Sequence, residues 1–210
     1  MGDWQWELVV CDNNSTDRTA EIARAAGATV VFEPHNQISR ARNRGAAAAS
    51  GEWLLFVDAD STPSRALFAD LRAAIDSGHV IGGGATIAVD APEWYVHAVL
   101  GFWNALSRSL RWAAGAFVYC ETAAFRSIGG FSEELYASEE LDLSQRLKRL
   151  ASEQGREFRI LSSHALLTSN RKMHLYGWRE LLPLFGRFLL SPRRMLRSAK
   201  ECSPWYDGRR

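Results

Sequence analysis

Apolar runs and helix-like periods alternate along the first third of the chain. Runs of apolar residues predict buried strands, and stretches with apolar positions three or four apart predict helices. The resulting order is strand 6–11, helix 19–26, strand 28–32, helix 39–50, strand 52–57 and helix 64–77. Strands separated by helices of this length favour βαβ crossovers and a largely parallel sheet.

The later part of the chain is less regular, although strands and helices still alternate. The predicted elements are strand 80–89, helix 94–112, strand 117–120, helix 139–153 and strand 157–167. Three consecutive glycines, Gly82 to Gly84, lie inside the first of these strands, which indicates that backbone or a ligand approaches it closely. The pattern as a whole predicts an α/β fold.

Charge divides the chain into an acidic body and a basic tail. The 210 residues carry a net charge of +1, which excludes a strongly basic nucleic-acid binder, so no nucleic acid is expected as a partner. Residues 171–210 contain ten Lys and Arg against three Asp and Glu, whereas residues 1–170 contain fifteen against twenty-one. We therefore predict a folded domain at 1–170 and a basic helical appendage at 171–210.

The basic tail also carries an apolar stripe at helical spacing. Its members are Trp178, Leu181, Leu182, Phe185, Phe188 and Leu189. An apolar face flanked by cations is typical of a helix at a membrane interface, so we predict that residues 176–200 contact an anionic membrane surface. The alternative is that the stripe packs on the body or on a second subunit.

Cysteine usage and hydropathy favour a reduced, cytoplasmic protein, and the predicted contact of the tail would make it peripheral at the inner face of the membrane. Cys11, Cys120 and Cys202 are too few and too widely spaced for a disulfide framework or a zinc site. The sequence shows no signal peptide and no apolar run of about 18 residues, the length expected of a membrane span.

Two aspartates, Asp58 and Asp60, directly follow the apolar run 52–57. In an open α/β sheet, ligands bind beyond the carboxyl ends of the strands. In extended backbone the two side chains share one side, about 6.5 to 7 Å apart, where bare carboxylates repel. A hard divalent cation removes that repulsion and leaves room for substrate phosphates. The alternative is that Asp60 caps the next helix while Asp58 pairs with a basic residue.

Two further polar clusters are candidate binding groups. Arg40, Arg42 and Asn43 lie near the start of a predicted helix, where free N–H groups and guanidinium groups suit an anion. Arginines two apart do not share one helix face, and a solvated basic face is the alternative. Asp12 and Asn14 end the first strand and suit a base or ribose edge, with turn and capping chemistry as the alternative.

Five motifs in a fixed order resemble those of the family 2 glycosyltransferases. They are VVCDNNSTDRT, ARNRG, GEWLLFVDAD, GGF and EELDLSQRL. The resemblance covers most of the chain and implies the GT-A fold. It also implies a nucleoside-diphosphate sugar donor, bound through Mg²⁺ or Mn²⁺, and sugar transfer with inversion to an acceptor hydroxyl. The nucleotide half would be 1–90 and the acceptor half 91–170, with a sugar or a lipid-linked molecule as the acceptor.

Matching the motifs position by position assigns roles to individual residues. Asp12 resembles the acidic residue that recognises the nucleotide base. Asp58 and Asp60 match the DxD pair that holds the metal and the ribose or pyrophosphate. Glu139-Glu140 stands where the family usually has Glu-Asp, whose second member is the catalytic base, so the resemblance gives Glu140 that role.

Three carboxylates open the helix predicted at 139–153, and each is a candidate for the base: Glu140, Glu139 and Asp142. The base must lie within hydrogen-bond reach of the acceptor hydroxyl, because it removes the proton as the oxygen attacks. The alternative is that acidic residues simply favour a helix N-terminus.

The segment after the last strand is basic, with the sequence SNRKMH at 169–174. The resemblance implies that a histidine or basic residue here meets the metal or the diphosphate. We expect Arg171 and Lys172 to bind donor phosphates and His174 to be a metal ligand, with His164 as the other candidate.

The chain also departs from the family pattern. Relatives usually begin with a strand of the type VSVVIPAYN and a helix, and neither precedes residue 6 here. Three explanations stay open: a shortened enzyme, a second subunit that completes the sheet in a homodimer, or a start placed too late. A non-catalytic relative that binds a nucleotide sugar or a partner is an alternative. Residues 58–62 also match a phosphatase pattern of the haloacid-dehalogenase type, although such enzymes carry it on the first strand.

Overall fold

Two separate β-sheets organise residues 4–169, the part of the chain that this computed structural model describes. Each sheet belongs to one of two compact units. Their described residues are 4–6, 50–130 and 140–169 in the larger unit, and 7–49 and 131–139 in the smaller. Segments of the two units therefore alternate along the sequence.

The smaller sheet pairs β1 (Val9–Asp12) with β2 (Thr29–Phe32) in parallel, with Val9 opposite Thr29. Helix α1 (Thr19–Ala25) connects the two strands, as predicted. The first strand begins three residues later than its apolar run, because β2 offers no partner before Thr29. Trp6 accordingly stays 67% exposed.

Helix α2 (Ile38–Ala48) follows β2 in the same unit, close to the bounds expected from the sequence. Its N-cap residue Gln37 has extended backbone, and the side chain of Gln37 is buried.

The larger sheet has five strands in the order β3 (Trp53–Val57), β6 (Phe117–Glu121), β5 (Val80–Val89), β7 (Glu157–Thr168) and β4 (Ser61–Thr62). Strands β3, β5 and β7 run in one direction, whereas β6 and β4 run the opposite way. The predicted α/β class is confirmed, but the sheets are less parallel than predicted: among the described strands, β1–β2 and β5–β7 are parallel pairs, and the other three pairs are antiparallel. Strand β4 was not predicted, because two residues are too short to show a period.

Helix α3 (Arg65–Asp76) packs on this sheet through Leu67 and Leu71, which join the buried cluster around Phe117 and Tyr119. Ser64 caps the helix by accepting a hydrogen bond from the N–H of Leu67 at 3.1 Å. Apolar residues spaced three and four apart therefore define the buried face of α3, as its period predicted.

The glycines of β5 lie where neighbouring backbone comes very close. A Cβ on Gly84 would lie 2.7 Å from the Cβ of Ala113, and one on Gly83 would overlap the carbonyl oxygen of Arg159. The close approach predicted from these glycines is confirmed, and backbone and side-chain atoms of the protein account for it.

Three more helices complete the described chain: α4 (Trp94–Leu110), α5 (Thr122–Ser127) and α6 (Glu139–Glu153). Helix α4 ends two residues earlier than predicted, because Arg111 adopts a left-handed conformation with φ of 51°. The short helix α5 was not predicted. Within residues 4–169, each helix is too short or too polar to cross a bilayer.

Candidate functional site

Asp58 and Asp60 lie in a tight turn directly after β3. The N–H of Ser61 donates to the carbonyl of Asp58 at 3.0 Å, and the N–H of Asp58 donates to the carbonyl of Ala116 at 3.2 Å. The two aspartates therefore do not have the extended backbone that is predicted from the sequence. A turn keeps its first and fourth Cα atoms within about 7 Å, so both carboxylates belong to one short loop.

Strand β7 anchors the far side of this turn. The N–H of Ser169 donates to the carbonyl of Asp60 at 3.2 Å, and the hydroxyl of Ser61 donates to that of Thr168 at 2.9 Å. The carboxylate of Asp60 is exposed, and it forms no hydrogen bond or ion pair with any residue in 4–169. Ser64 caps α3, so the alternative that Asp60 does so is not supported.

The two carboxylates of the turn fit a hard divalent cation whose remaining ligands are substrate oxygens and water. Within residues 4–169, no group of three or more His, Cys, Asp or Glu side chains is arranged to hold a metal. Mg²⁺ commonly binds through one or two carboxylates together with substrate phosphates and water, which two aspartates can supply. His164 contacts Asp70 at 2.9 Å instead.

Three predicted donor-site residues, Arg171, Lys172 and His174, lie outside the described residues. In the sequence they follow Ser169, whose N–H contacts Asp60. Their roles stay predictions.

The carboxyl end of β1 carries a second group of polar side chains. Asp12 is buried, and its Oδ1 accepts a hydrogen bond from the N–H of Ser15 at 3.0 Å. Asn14 is exposed in a left-handed conformation, with φ of 58°. Asn13 contacts the loop after β2, because its amide donates to the carbonyl of His35 at 2.6 Å and accepts from the N–H of Gln37 at 3.1 Å. Asn13 thus shapes this end of the strand.

Helix α2 binds the loop 131–139 through the residues predicted to bind donor. Asn43 forms a reciprocal pair with Phe131, donating to its carbonyl and accepting from its N–H, both at 2.9 Å. Arg42 lies 5.3 Å from the centre of the Phe131 ring and donates to Glu139 at 2.9 Å. Arg40 contacts Glu133 at 3.1 Å. A donor-binding role for these residues stays a prediction.

Gln37 contributes to the same attachment, and sequence reasoning missed it. Its amide donates to the carbonyls of Glu133 at 2.7 Å and Leu135 at 3.0 Å. No local pattern marks a residue whose partners lie almost a hundred positions away. We call Gln37, Arg42 and Asn43 the α2 clamp.

The three carboxylates at the start of α6 have different surroundings. Glu139 is buried against Arg42, and Asp142 forms an ion pair with Arg146 at 2.6 Å. Glu140 is half-buried, and its carbonyl accepts a hydrogen bond from the hydroxyl of Ser144 at 2.7 Å. The same Ser144 oxygen accepts from the N–H of Ala113 at 3.1 Å, which attaches the first turn of α6 to the loop after α4.

Comparison with known proteins identifies the sequence family. The family Glycosyl transferase family 2 matches residues 3–129. The pre-mycofactocin glycosyltransferase of Mycobacterium tuberculosis is 29% identical over 178 residues, which cover 75% of this chain and 35% of the relative. A TPR repeat-containing protein of Synechococcus elongatus is 41% identical over 71 residues, 33% of this chain and 18% of that protein.

Solved structures share the fold at low sequence identity. TarS 1–349 of S. aureus in complex with UDP-GlcNAc superposes with a TM-score of 0.61 at 21% identity, covering 79% of this chain and 50% of TarS 1–349. Glucosyl-3-phosphoglycerate synthase of M. tuberculosis, in complex with Mn²⁺, UDP-glucose and phosphoglyceric acid, gives 0.52 at 22% identity, covering 80% and 62%. The chain therefore has the GT-A fold, and it spans about a third or less of the curated relatives named above.

Proposed function

Because the chain belongs to glycosyl transferase family 2, we propose that it transfers a hexose from a nucleoside-diphosphate sugar to an acceptor hydroxyl with inversion. The observation that carries the proposal is the turn after β3, where the exposed carboxylate of Asp60 and the half-buried Asp58 lie at the carboxyl end of a strand. Ligands of α/β sheets bind at such ends.

In the proposed reaction, Asp58 and Asp60 would hold a Mg²⁺ or Mn²⁺ ion together with the donor diphosphate. The bound cation would offset the negative charge that develops on the departing diphosphate. Asp12 would accept a hydrogen bond from the nucleotide base, since its buried carboxylate at the end of β1 has a fixed orientation. Arg171 and Lys172 would add positive charge against the phosphates.

Glu140 is the proposed general base. It takes the proton of the acceptor hydroxyl as the oxygen attacks C1 of the sugar, opposite the bond to the diphosphate, which inverts the anomeric centre. The fixed backbone around Ser144 supports this role, because a base must keep one orientation relative to the hydroxyl. Arg42 and Arg146 already engage Glu139 and Asp142.

The proposed acceptor is a sugar or a lipid-linked molecule, and the proposed location is the membrane surface. The apolar stripe and cations of residues 176–200 support a peripheral association. Replacing Trp178 and Phe185 by Ser in the full chain should weaken binding to anionic vesicles. Unchanged binding would contradict the role of this tail.

Titration calorimetry with UDP and with GDP tests the proposed donor site. We expect binding of one nucleotide to require Mn²⁺, and Asp60→Ala to weaken it by at least ~10-fold. Asp76→Ala, which removes an exposed aspartate from α3, is the matched control. Equal affinity in the presence of EDTA would exclude the metal role. Nucleotide binding without turnover of any nucleotide sugar would favour a non-catalytic relative.

A further inference from the structure

The solvent-facing side of α4 is apolar along most of its length. The exposed fractions are 79% for Trp94, 54% for Tyr95, 59% for Val99 and 72% for Phe102. Helical spacing places Tyr95, Val99 and Phe102 on one face, and we call these three residues together with Trp94 the α4 face.

The opposite side of α4 is fixed to the protein. Val96 and Ser107 are buried, and the amide of Asn104 pairs with both backbone groups of Ile87, at 3.0 and 2.8 Å. A rotation that buried the α4 face would break these contacts. The face is therefore exposed because of how the helix is anchored.

The α4 face is as large as the largest apolar patch on a typical single chain, and such patches are often functional. Its three aromatic rings alone present about 400 Å², since a large aromatic side chain offers roughly 150–250 Å². Apolar patches of this size on a single chain commonly mark interaction sites.

Positive charge accompanies the apolar surface at one end of the helix. Arg108 and Arg111 are exposed at the end of α4, and the ammonium group of Lys148 donates to the carbonyl of Leu110 at 2.7 Å. Within residues 4–169, no carboxylate forms an ion pair with these three cations. Burial and the nearby Arg111 charge lower the pKa of Lys148, which is consistent with a local excess of positive charge.

We propose that the α4 face docks on the surface of an anionic lipid bilayer. The aromatic rings enter the boundary between headgroups and acyl chains, and Arg108, Arg111 and Lys148 contact lipid phosphates. A second copy of the same face fits less well, because α4 contains no Asp or Glu to pair with the cations. The α4 face shares no residue with the tail at 176–200, and the proposal does not depend on the proposed sugar transfer.

Co-sedimentation of the full chain with vesicles tests the proposal. We expect binding to vesicles that contain phosphatidylglycerol and little binding to pure phosphatidylcholine. Val99→Glu combined with Phe102→Glu should weaken binding at least ~10-fold. The matched control, Gln145→Glu with Ser152→Glu, adds the same charge at exposed positions of α6 and should bind like the unmodified protein.

The cations are tested separately, with a control variant that loses the same number of positive charges. Arg108→Gln with Arg111→Gln should reduce binding about 25-fold, because each basic residue near an anionic leaflet contributes about a fivefold change. Arg24→Gln with Arg65→Gln removes two exposed arginines elsewhere and should have a much smaller effect.

Three results would overturn the proposal. They are no vesicle binding by the unmodified chain, equal binding by the Val99 and Phe102 variant, and conversion of a dimer to a monomer by that variant in sedimentation velocity. Circular dichroism checks that each variant folds. If the double variant does not fold, the milder Phe102→Ser variant decides, and unchanged binding by it counts against the α4 face.

Discussion

Glu139 and Glu140 are sequence neighbours in very different environments. Glu139 is 3% exposed and pairs with Arg42, whose side chain is also nearly buried. A carboxylate committed to a buried ion pair is poorly placed to exchange a proton with a substrate. The proposed base is therefore Glu140, which the resemblance also indicates.

We expect Glu140→Gln to keep nucleotide affinity while lowering sugar transfer or donor hydrolysis by at least ~10²-fold, the usual contribution of a general base. The change removes the proton acceptor and leaves the side-chain shape almost unaltered. Steady-state kinetics and calorimetry measure the two effects. Asp142→Asn is the control. A near-normal Glu140→Gln enzyme beside an inactive Asp142→Asn enzyme would reassign the base.

Within the α2 clamp, Arg42 forms a nearly buried ion pair with Glu139. Arg42→Met should lower the free energy of unfolding by about 3–5 kcal/mol, because it leaves the buried charge of Glu139 without a partner. Arg40→Met should cost less than about 1 kcal/mol, since the Arg40–Glu133 pair is more than a third exposed. Urea unfolding measures both.

A companion variant separates ion pairing from donor binding by Arg42. Arg42→Met with Glu139→Gln should recover part of the lost stability, because no unpaired charge remains. An Arg42→Met protein of normal stability but weakened nucleotide affinity would favour direct donor binding.

At the scale of elements, β5 can pair with both of its neighbours only because three consecutive residues, Gly82 to Gly84, have no side chain. It pairs with β6 on one side and β7 on the other, and Gly82 to Gly84 lie where both partners are hydrogen-bonded. The contact at Gly83 is with a backbone carbonyl, which cannot move without disturbing β7.

We therefore expect Gly83→Ala to lower the free energy of unfolding by at least about 3 kcal/mol or to prevent folding. Gly45→Ala is the matched control, because a Cβ there meets nothing within 4 Å and α2 gains about 0.5–1 kcal/mol from losing a helical glycine. Chemical denaturation measures both. Similar effects at the two positions would contradict the packing argument.

At the scale of the whole molecule, two buried ionisable groups on β6 should make the free energy of unfolding fall at high pH. Tyr119 donates a hydrogen bond to the carbonyl of Arg159 at 3.1 Å, and its neighbour Cys120 is fully buried. Burial raises the pKa of both side chains above their ordinary values of 10.0 and 9.0. The folded protein keeps these protons at pH values where the unfolded chain releases them.

The stabilising effect of these two protons is fully present below about pH 9 and is lost as the pH rises further. We expect the free energy of unfolding in urea to fall between pH 8 and pH 10.5. Tyr119→Phe with Cys120→Ala should show a smaller fall. The variant itself should be about 1 kcal/mol or more less stable at both pH values, because the Arg159 carbonyl loses its donor. An unchanged pH dependence would contradict the assignment.

The sequence alone determined features that depend on neighbouring residues. The bounds of β5 and α6 agree with prediction: β5 is a continuous run of apolar residues and glycines, and α6 has apolar positions at helical spacing. The order of motifs also identified the family, since matching them requires only sequence positions. The same reasoning found Asp58 and Asp60 at a strand end, although it assumed extended backbone where a turn exists.

Only the tertiary structure decided which distant groups meet. The strand order is one example, because an apolar pattern predicts that a strand is buried in a sheet but does not predict which strands lie beside it. The α2 clamp is another example. The sequence indicates an anion site at Arg42 and Asn43, yet these residues contact Glu139 and Phe131, which lie 97 and 88 residues further along the chain. The exposed α4 face is a third example. An apolar helix is expected to be buried, and only the contacts of Asn104 with Ile87 show which side of α4 is anchored to the protein. Amphipathic patterns report that a surface is apolar, and the packing of the whole chain determines whether that surface is covered.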